Sequence, residues 1–199
     1  MTLSVRHAIA LSFALAVCVA GAGGCAAPHS AEAPIVASLE LHGSDGADHA
    51  ISRELSQHRL TVFIFYSEGC PCFAAHEPRL TELERDYREL GVAFFLVNSE
   101  TGASIAHDAE RAFRRRLAFP LLTDSGAQLA RALGAEFATH SIVVDAAGRV
   151  VYSGAFDSDK NHLRADATPY LRDALDDALA KRTVRSAGHE ALGCALQLD

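Results

Sequence analysis

Apolar and polar positions fall in blocks along this chain, and the blocks show two periods. Leu60-Thr61-Val62-Phe63-Ile64-Phe65-Tyr66 is a run of apolar, β-branched and aromatic residues. Its length and composition predict a strand buried on both faces. Beyond it, Phe73, Leu80, Leu83, Tyr87 and Leu90 recur at helical spacings, the stripe of an amphipathic helix. Between the two stands Ser67-Glu68-Gly69-Cys70-Pro71-Cys72. Two cysteines therefore occupy the place where a buried strand turns into a helix, with Cys70 predicted to be solvent-accessible there.

The same reading extends along the chain. Pro34 to Leu41 predicts a first strand, Gly43-Ser44-Asp45-Gly46 a turn, and Ile51 to His58 a short helix. Val92 to Val97 predicts another apolar strand. Ser104 to Leu117 predicts a helix with Ile105, Ala109 and Phe113 inward, its Arg114-Arg115-Arg116 run forming a solvated face. Phe119 to Asp124 predicts a short strand, and Ser125 caps a helix through Leu133. Ile142 to Asp145, the turn Ala146 to Arg149, and Val150 to Tyr152 make a hairpin. Thr168 or Pro169 opens a last helix, with Tyr170, Leu171, Leu175 and Leu179 on one side. Alternating strands and helices that end in an antiparallel hairpin predict a three-layer α/β/α sandwich with a mixed central sheet.

The N-terminus is written differently. Arg6 and His7 precede the apolar run Ala8 to Ala20, and Gly21-Ala22-Gly23-Gly24 closes it with small residues before Cys25. Residues 1–24 thus read as a secretory signal peptide. The small residues ahead of Cys25 resemble the lipobox of bacterial lipoproteins, although Ala22 stands where that motif prefers Leu. The resemblance implies a lipid on Cys25, with 25–33 as a tether, 34–182 as the folded domain and 183–199 as a tail carrying Cys194. It places the protein in the cell envelope or periplasm, anchored to a membrane by its N-terminal lipid. A net charge of −7 leaves no basic footprint for nucleic acid.

Processing would simplify the cysteine count. Cys18 leaves with the signal and Cys25 carries the lipid, so Cys70, Cys72 and Cys194 remain in an oxidising compartment where disulfides persist. Three is odd, so at least one thiol is always free, metal-bound or paired with another molecule. A helix N-terminus stabilises an anion by up to about 2 kcal/mol, which would bring a thiol from about 8.5 to about 7. Glu68 and Glu77 oppose that shift if they lie close.

A cysteine pair after a buried strand, in this element order, resembles the thioredoxin fold, and within it the redoxin and AhpC/TSA branch of secreted bacterial proteins. The likeness covers about Pro34 to Arg182 and rests on Phe63 to Pro71, Phe119 to Asp124 and Val144 to Val150. Some redoxins of this branch also end in a Gly-Cys dipeptide, here Gly193-Cys194. The resemblance implies thiol–disulfide exchange with protein thiols and disulfides of the envelope, no resident cofactor, and Cys70, Cys72 and Cys194 as catalytic residues. Family helices carry a proline eight residues after the nucleophile, and Pro78 stands eight after Cys70. Cys72 falls one residue short of the usual resolving position, and His140 occupies the place of the family's cis-proline. The ring closed by Cys70 and Cys72 is small, which raises its potential. Cys194 resolves instead if the tail folds back, with a slight preference for Cys72 because proximity is guaranteed.

Two other chemistries compete. Cys72 and His76 are four apart on a helix with Cys70 adjacent, and Thr139-His140-Ser141-Ile142 resembles the histidine region of the Sco copper chaperones. That reading makes the cysteines and His140 a copper(I) site, since thiolates and imidazole suit Cu(I) or Zn(II). Ser67-Glu68-Gly69-Cys70 also matches the peroxiredoxin Thr/Ser-x-x-Cys, but Phe63 replaces the motif's upstream proline, which leaves a thiol peroxidase third. The remaining histidines, His49 and His107 among them, are expected at the surface.

Overall fold

The computed structural model describes residues 36, 38–185 and 188–198. The signal segment, the tether and Cys25 lie outside the described residues. Within them a strand pair, β1 (Glu40–Gly43) and β2 (Asp48–Ala50), leads into α1 (Ile51–Gln57) and the buried β3 (Leu60–Tyr66). Then come α2 (Pro71–Arg88), β4 (Val92–Asn98), α3 (Ile105–Arg115), β5 (Leu121–Thr123) and α4 (Gln128–Leu133). The hairpin β6 (Ser141–Asp145) and β7 (Val150–Gly154) and the helix α5 (Tyr170–Leu179) complete the order.

The strands form one seven-stranded mixed sheet in the order β2-β1-β5-β4-β3-β6-β7. β3 sits inside it, parallel to β4 from Leu60↔Val92 to Tyr66↔Asn98, and antiparallel to β6 with Phe63 opposite Ile142. All seven β3 residues are buried, so both faces of the sheet are covered there, as a three-layer α/β/α sandwich requires. α2 anchors one layer. Tyr87 donates to the Asp176 carboxylate on α5, and Glu77 pairs with Arg115 on α3.

Several local expectations are corrected. The first strand begins at Glu40, so residues 38 and 39 precede it. Leu90 falls just beyond α2 and is about half exposed. On α3, Ile105 and Phe113 face out, Phe113 with 84% of its surface exposed. The inward position is Asp108, which accepts from Asn98 Nδ2 and Thr123 Oγ1, each at 2.7 Å. Two interior hydrogen bonds outweigh the apolar stripe in orienting this helix. Arg115 leaves the solvated face to pair with Glu77 and to lie over the Phe73 ring. Asp124 rather than Ser125 satisfies the start of α4, accepting from the N–H groups of Leu129 and Ala130. His49 is buried, held by Glu54 and Asp45.

Candidate active site

Cys70 is the N-cap of α2, directly beyond the C-terminal end of β3. Gly69 makes this entry, its φ of +77° lying in the left-handed region that only glycine adopts freely. Pro71 follows at the first helical position, where no N–H is needed and its fixed φ suits the helix. Cys72 is therefore in the first turn. The β3–β6 register brings a third segment to the same end. The Phe65 N–H donates to the His140 carbonyl oxygen, and the Thr139 N–H to the Phe65 carbonyl oxygen. Thr139 is a β-branched residue at φ +68°, a conformation costing on the order of 1–3 kcal/mol that the surrounding bonds must hold.

The tail supplies the fourth segment. Ala155 N–H donates to the His189 carbonyl oxygen, and the His189 ring stacks on Tyr170 at 3.6 Å. Further on, Ala138 N–H donates to the Cys194 carbonyl oxygen at 2.8 Å, Leu196 N–H to Glu136, and Thr101 N–H to Gln197. Residues 188–198 are thereby laid across the cysteine end of the domain. The sulfurs of Cys70, Cys72 and Cys194 all lie within 4.8 Å of one another.

The three thiols are unreacted and unequal. Cys70 and Cys72 are buried and Cys194 is half-buried. The expectation of an accessible Cys70 is therefore corrected, because the tail covers it. Burial opposes charging Cys70, but a hydrogen bond from the Cys194 thiol and the N–H groups of Phe73, Cys194 and Cys72 outweigh it and bring its pKa below the ordinary thiol value. Burial and the neighbouring Cys70 charge push Cys72 up. The hydrogen bond to Cys70, with burial, pushes Cys194 up to about 11. Three thiols this close titrate as a set. The first proton to leave comes from Cys70, and the other two stay on as donors.

The histidines take other roles. His76 is buried, with Nδ1 2.7 Å from the Cys72 carbonyl oxygen and Nε2 3.0 Å from Asp157 Oδ1. Both partners only accept, so both ring nitrogens carry protons and His76 is an imidazolium. Burial opposes that charge, but the Asp157 and Cys72 hydrogen bonds prevail and raise its pKa. Asp157 also pairs with Arg79, which reaches Asp159, itself paired with Arg164. His76 thus fixes the first turn through the Cys72 backbone and has no lone pair for a metal. His140 Nε2 lies 2.9 Å from Ser153 Oγ, its Nδ1 is buried without a hydrogen-bond partner, and burial lowers its pKa. It stands outside the sulfur cluster.

Sequence reasoning missed the His76–Asp157–Arg79 network, because Asp157 lies 81 positions from His76 in a loop with no periodicity. The helical spacing of Cys72 and His76 was the available signal. It pointed to the carbonyl of Cys72, not to its sulfur. A surface cavity lies at the opposite end of β3, lined by Leu60, Arg149 and Arg182 among others, away from the thiols.

Comparison with known proteins places this geometry. A hypothetical protein of Sinorhizobium meliloti 1021 superposes with a TM-score of 0.73 at 23% identity, covering 82% of this chain and 92% of that one. An uncharacterized conserved protein of Geobacillus kaustophilus gives 0.72 at 24% identity, covering 81% and 90%. The bacterioferritin comigratory protein of Xanthomonas campestris, described for alkyl peroxide reduction activity, gives 0.55 at 17% identity over 74% and 94%. At these identities the likeness is one of fold. No curated protein matches the chain. The Redoxin family model matches residues 26–170, from ahead of β1 to the start of α5, and the chain therefore belongs to the redoxin family of thioredoxin-like redox proteins.

Proposed function

We propose that this redoxin is an extracytoplasmic thiol–disulfide oxidoreductase, tethered to a membrane through a lipid on Cys25. The observation that carries the chemistry is the inequality of three adjacent thiols: Cys70 favours the thiolate while Cys72 and Cys194 hold their protons. Attack requires a thiolate, and resolution requires a second thiol within reach.

The Cys70 thiolate attacks one sulfur of a partner protein's disulfide. The Cys70–sulfur bond forms, the partner's S–S bond breaks, and the released partner thiolate takes a proton. A second thiol of the cluster, deprotonated, then attacks the Cys70 sulfur and expels the other partner sulfur. The partner gains two electrons and the redoxin ends with one internal disulfide. Because the tail covers Cys70, a protein substrate reaches it once residues 188–198 lift from Ala138.

The test is single turnover of the reduced, metal-free protein with a disulfide-bonded protein substrate, read by trapping thiols with an alkylating mass tag. Substrate reduction that matches loss of two redoxin thiols, and is absent in Cys70→Ser, is the expected result. An equal rate in Cys70→Ser rules the assignment out. An alkyl hydroperoxide arm, suggested by the peroxide reduction described for the Xanthomonas protein, should be slower. A faster peroxide reaction makes the protein a peroxidase instead.

A further inference from the structure

We infer that Cys70, Cys72 and Cys194 also form a three-coordinate, all-sulfur site for Cu(I). The three sulfurs come from separately anchored positions: the cap of α2, its first turn, and a tail fixed to Ala138 and Glu136 by backbone hydrogen bonds. They lie within 4.8 Å of one another, and no other His, Cys, Asp or Glu joins them among the described residues. Sulfurs placed about 2.3 Å from a common centre in a trigonal plane stand about 4.0 Å apart. Closing the cluster onto one ion therefore takes side-chain adjustments of under about 1 Å.

The donor count selects the ion. Zn(II) in a closed protein site takes four ligands. The nearby candidates for a fourth are committed or outside: both His76 nitrogens donate, to the Cys72 carbonyl oxygen and to Asp157, and His140 does not join the cluster. A soft monovalent ion is satisfied by three thiolates, and thiolate ligation favours Cu(I). The surroundings offset the negative charge of such a complex. N–H groups of Phe73, Cys72 and Cys194 point at Cys70, and the Lys160 ammonium acts on Cys72 and Cys194. The third donor is thus the tail cysteine, in place of the histidine that the Sco likeness implied.

Binding is a ligand exchange. As each S–Cu bond forms, a bond from copper to the ligand that delivered it (acetonitrile in the titration below) breaks. The protons still held by Cys72 and Cys194 pass to solvent, and copper stays monovalent throughout. The same sulfurs serve disulfide exchange, so the copper-loaded protein is inert in exchange, whereas the metal-free protein's exchange activity is a separate property.

The test uses the reduced full-length chain under anaerobic conditions, titrated with tetrakis(acetonitrile)copper(I) against bathocuproine disulfonate, with X-ray absorption at the copper edge. The expected result is one Cu(I) per chain and a first shell of three sulfurs. Ligand loss should exceed the roughly 10–100-fold effect typical of outer-shell changes, so Cys194→Ser and Cys72→Ser should each weaken binding by on the order of 100-fold or more. His140→Ala should keep wild-type affinity, and excess Zn(II) should not displace copper. A nitrogen in the first shell, loss of copper in His140→Ala, wild-type affinity in Cys194→Ser, or transfer of all copper from wild type to the chelator overturns the site. The wild-type absorption spectrum decides the ligand set even where a variant fails to fold. Exchange by the metal-free protein does not enter the result.

Discussion

Gly193 packs so closely on Ala138 that a Cβ at position 193 would lie inside the van der Waals envelope of the Ala138 carbonyl oxygen. The obstacle is backbone, so no side-chain rotation relieves it. The glycine next to Cys194 is what lets the tail reach the cysteines. Gly193→Ala should therefore displace the tail and take Cys194 from Cys70, removing a hydrogen bond that lowers the Cys70 pKa. The alkylation profile of Cys70 against pH should move upward, and its alkylation at neutral pH should change from protected to open. An unchanged profile means that the tail contributes nothing to the thiolate.

The buried pair of His76 and Asp157 makes a pH prediction. His76 is raised above 6.5, so its contribution to stability is complete below about pH 6.5 and fades as pH rises through its folded value. Asp157 is lowered below 3.8 by the His76 and Arg79 bonds despite burial, so its contribution is present above about pH 4 and fades as pH falls through its folded value. The pair is strongest between those limits. Urea unfolding of wild type and His76→Gln should show a stability difference that is largest near pH 6 and shrinks towards pH 9. Asp157→Ala leaves the imidazolium uncompensated and should cost about 3–5 kcal/mol at pH 6. A difference that grows with pH contradicts the imidazolium assignment.

The orientation of α3 yields a paired prediction. Asp108→Ala leaves Asn98 Nδ2 and Thr123 Oγ1 without their interior acceptor, which should cost about 3 kcal/mol. Phe113→Ser removes a largely exposed ring and should change stability by less than about 0.5 kcal/mol. Chemical denaturation of both variants checks the pair. A large loss in Phe113→Ser with none in Asp108→Ala would restore the inward stripe that the sequence predicts.

These residues mark what was legible. β3 and α2 were, because burial on both faces and a helical stripe leave patterns that run along the chain. The cap position of Cys70 followed from those two elements alone. The return of the tail was legible only as the dipeptide Gly193-Cys194. Its anchors at Ala138, Glu136, Thr101 and Ala155 are backbone hydrogen bonds, which any sequence can make. Asp108 and His49 were hidden for a different reason. A buried polar group is oriented by partners distant in sequence, and hydrophobic periodicity carries no information about them.

Cys25 lies ahead of the described residues, and its prediction rests on the charged start, the apolar run and the small residues through Gly24. Cys25→Ser should move the protein from membrane to soluble fractions or block processing. Intact mass should show a diacylglyceryl addition on wild type alone. Membrane retention of Cys25→Ser with no lipid on wild type would leave an uncleaved apolar segment as the anchor.

The last prediction concerns which thiol resolves the mixed disulfide on Cys70. In sequence terms Cys72 has the advantage of guaranteed proximity, but the tail brings Cys194 within the same 4.8 Å, so proximity no longer separates them. Ring strain does. A disulfide between Cys70 and Cys72 closes a very small ring at the start of a helix, whereas Cys194 approaches on an independent segment and can meet ordinary disulfide torsions. The long intervening loop adds little, since each doubling of length costs only about 0.6 kcal/mol in closure. Beside the Cys70 thiolate the Cys194 thiol holds its proton; forming the mixed disulfide removes that charge and frees Cys194 to ionise and attack. The expected outcome is that Cys194→Ser accumulates a stable mixed disulfide with substrate on Cys70, while Cys72→Ser completes the reaction at a rate within about threefold of wild type. Peptide mapping of the oxidised wild type should find a bond between the peptide of Cys70 and that of Cys194. Stalling of Cys72→Ser with normal turnover in Cys194→Ser would return the resolving role to Cys72 and leave the tail cysteine to the thiolate and the metal.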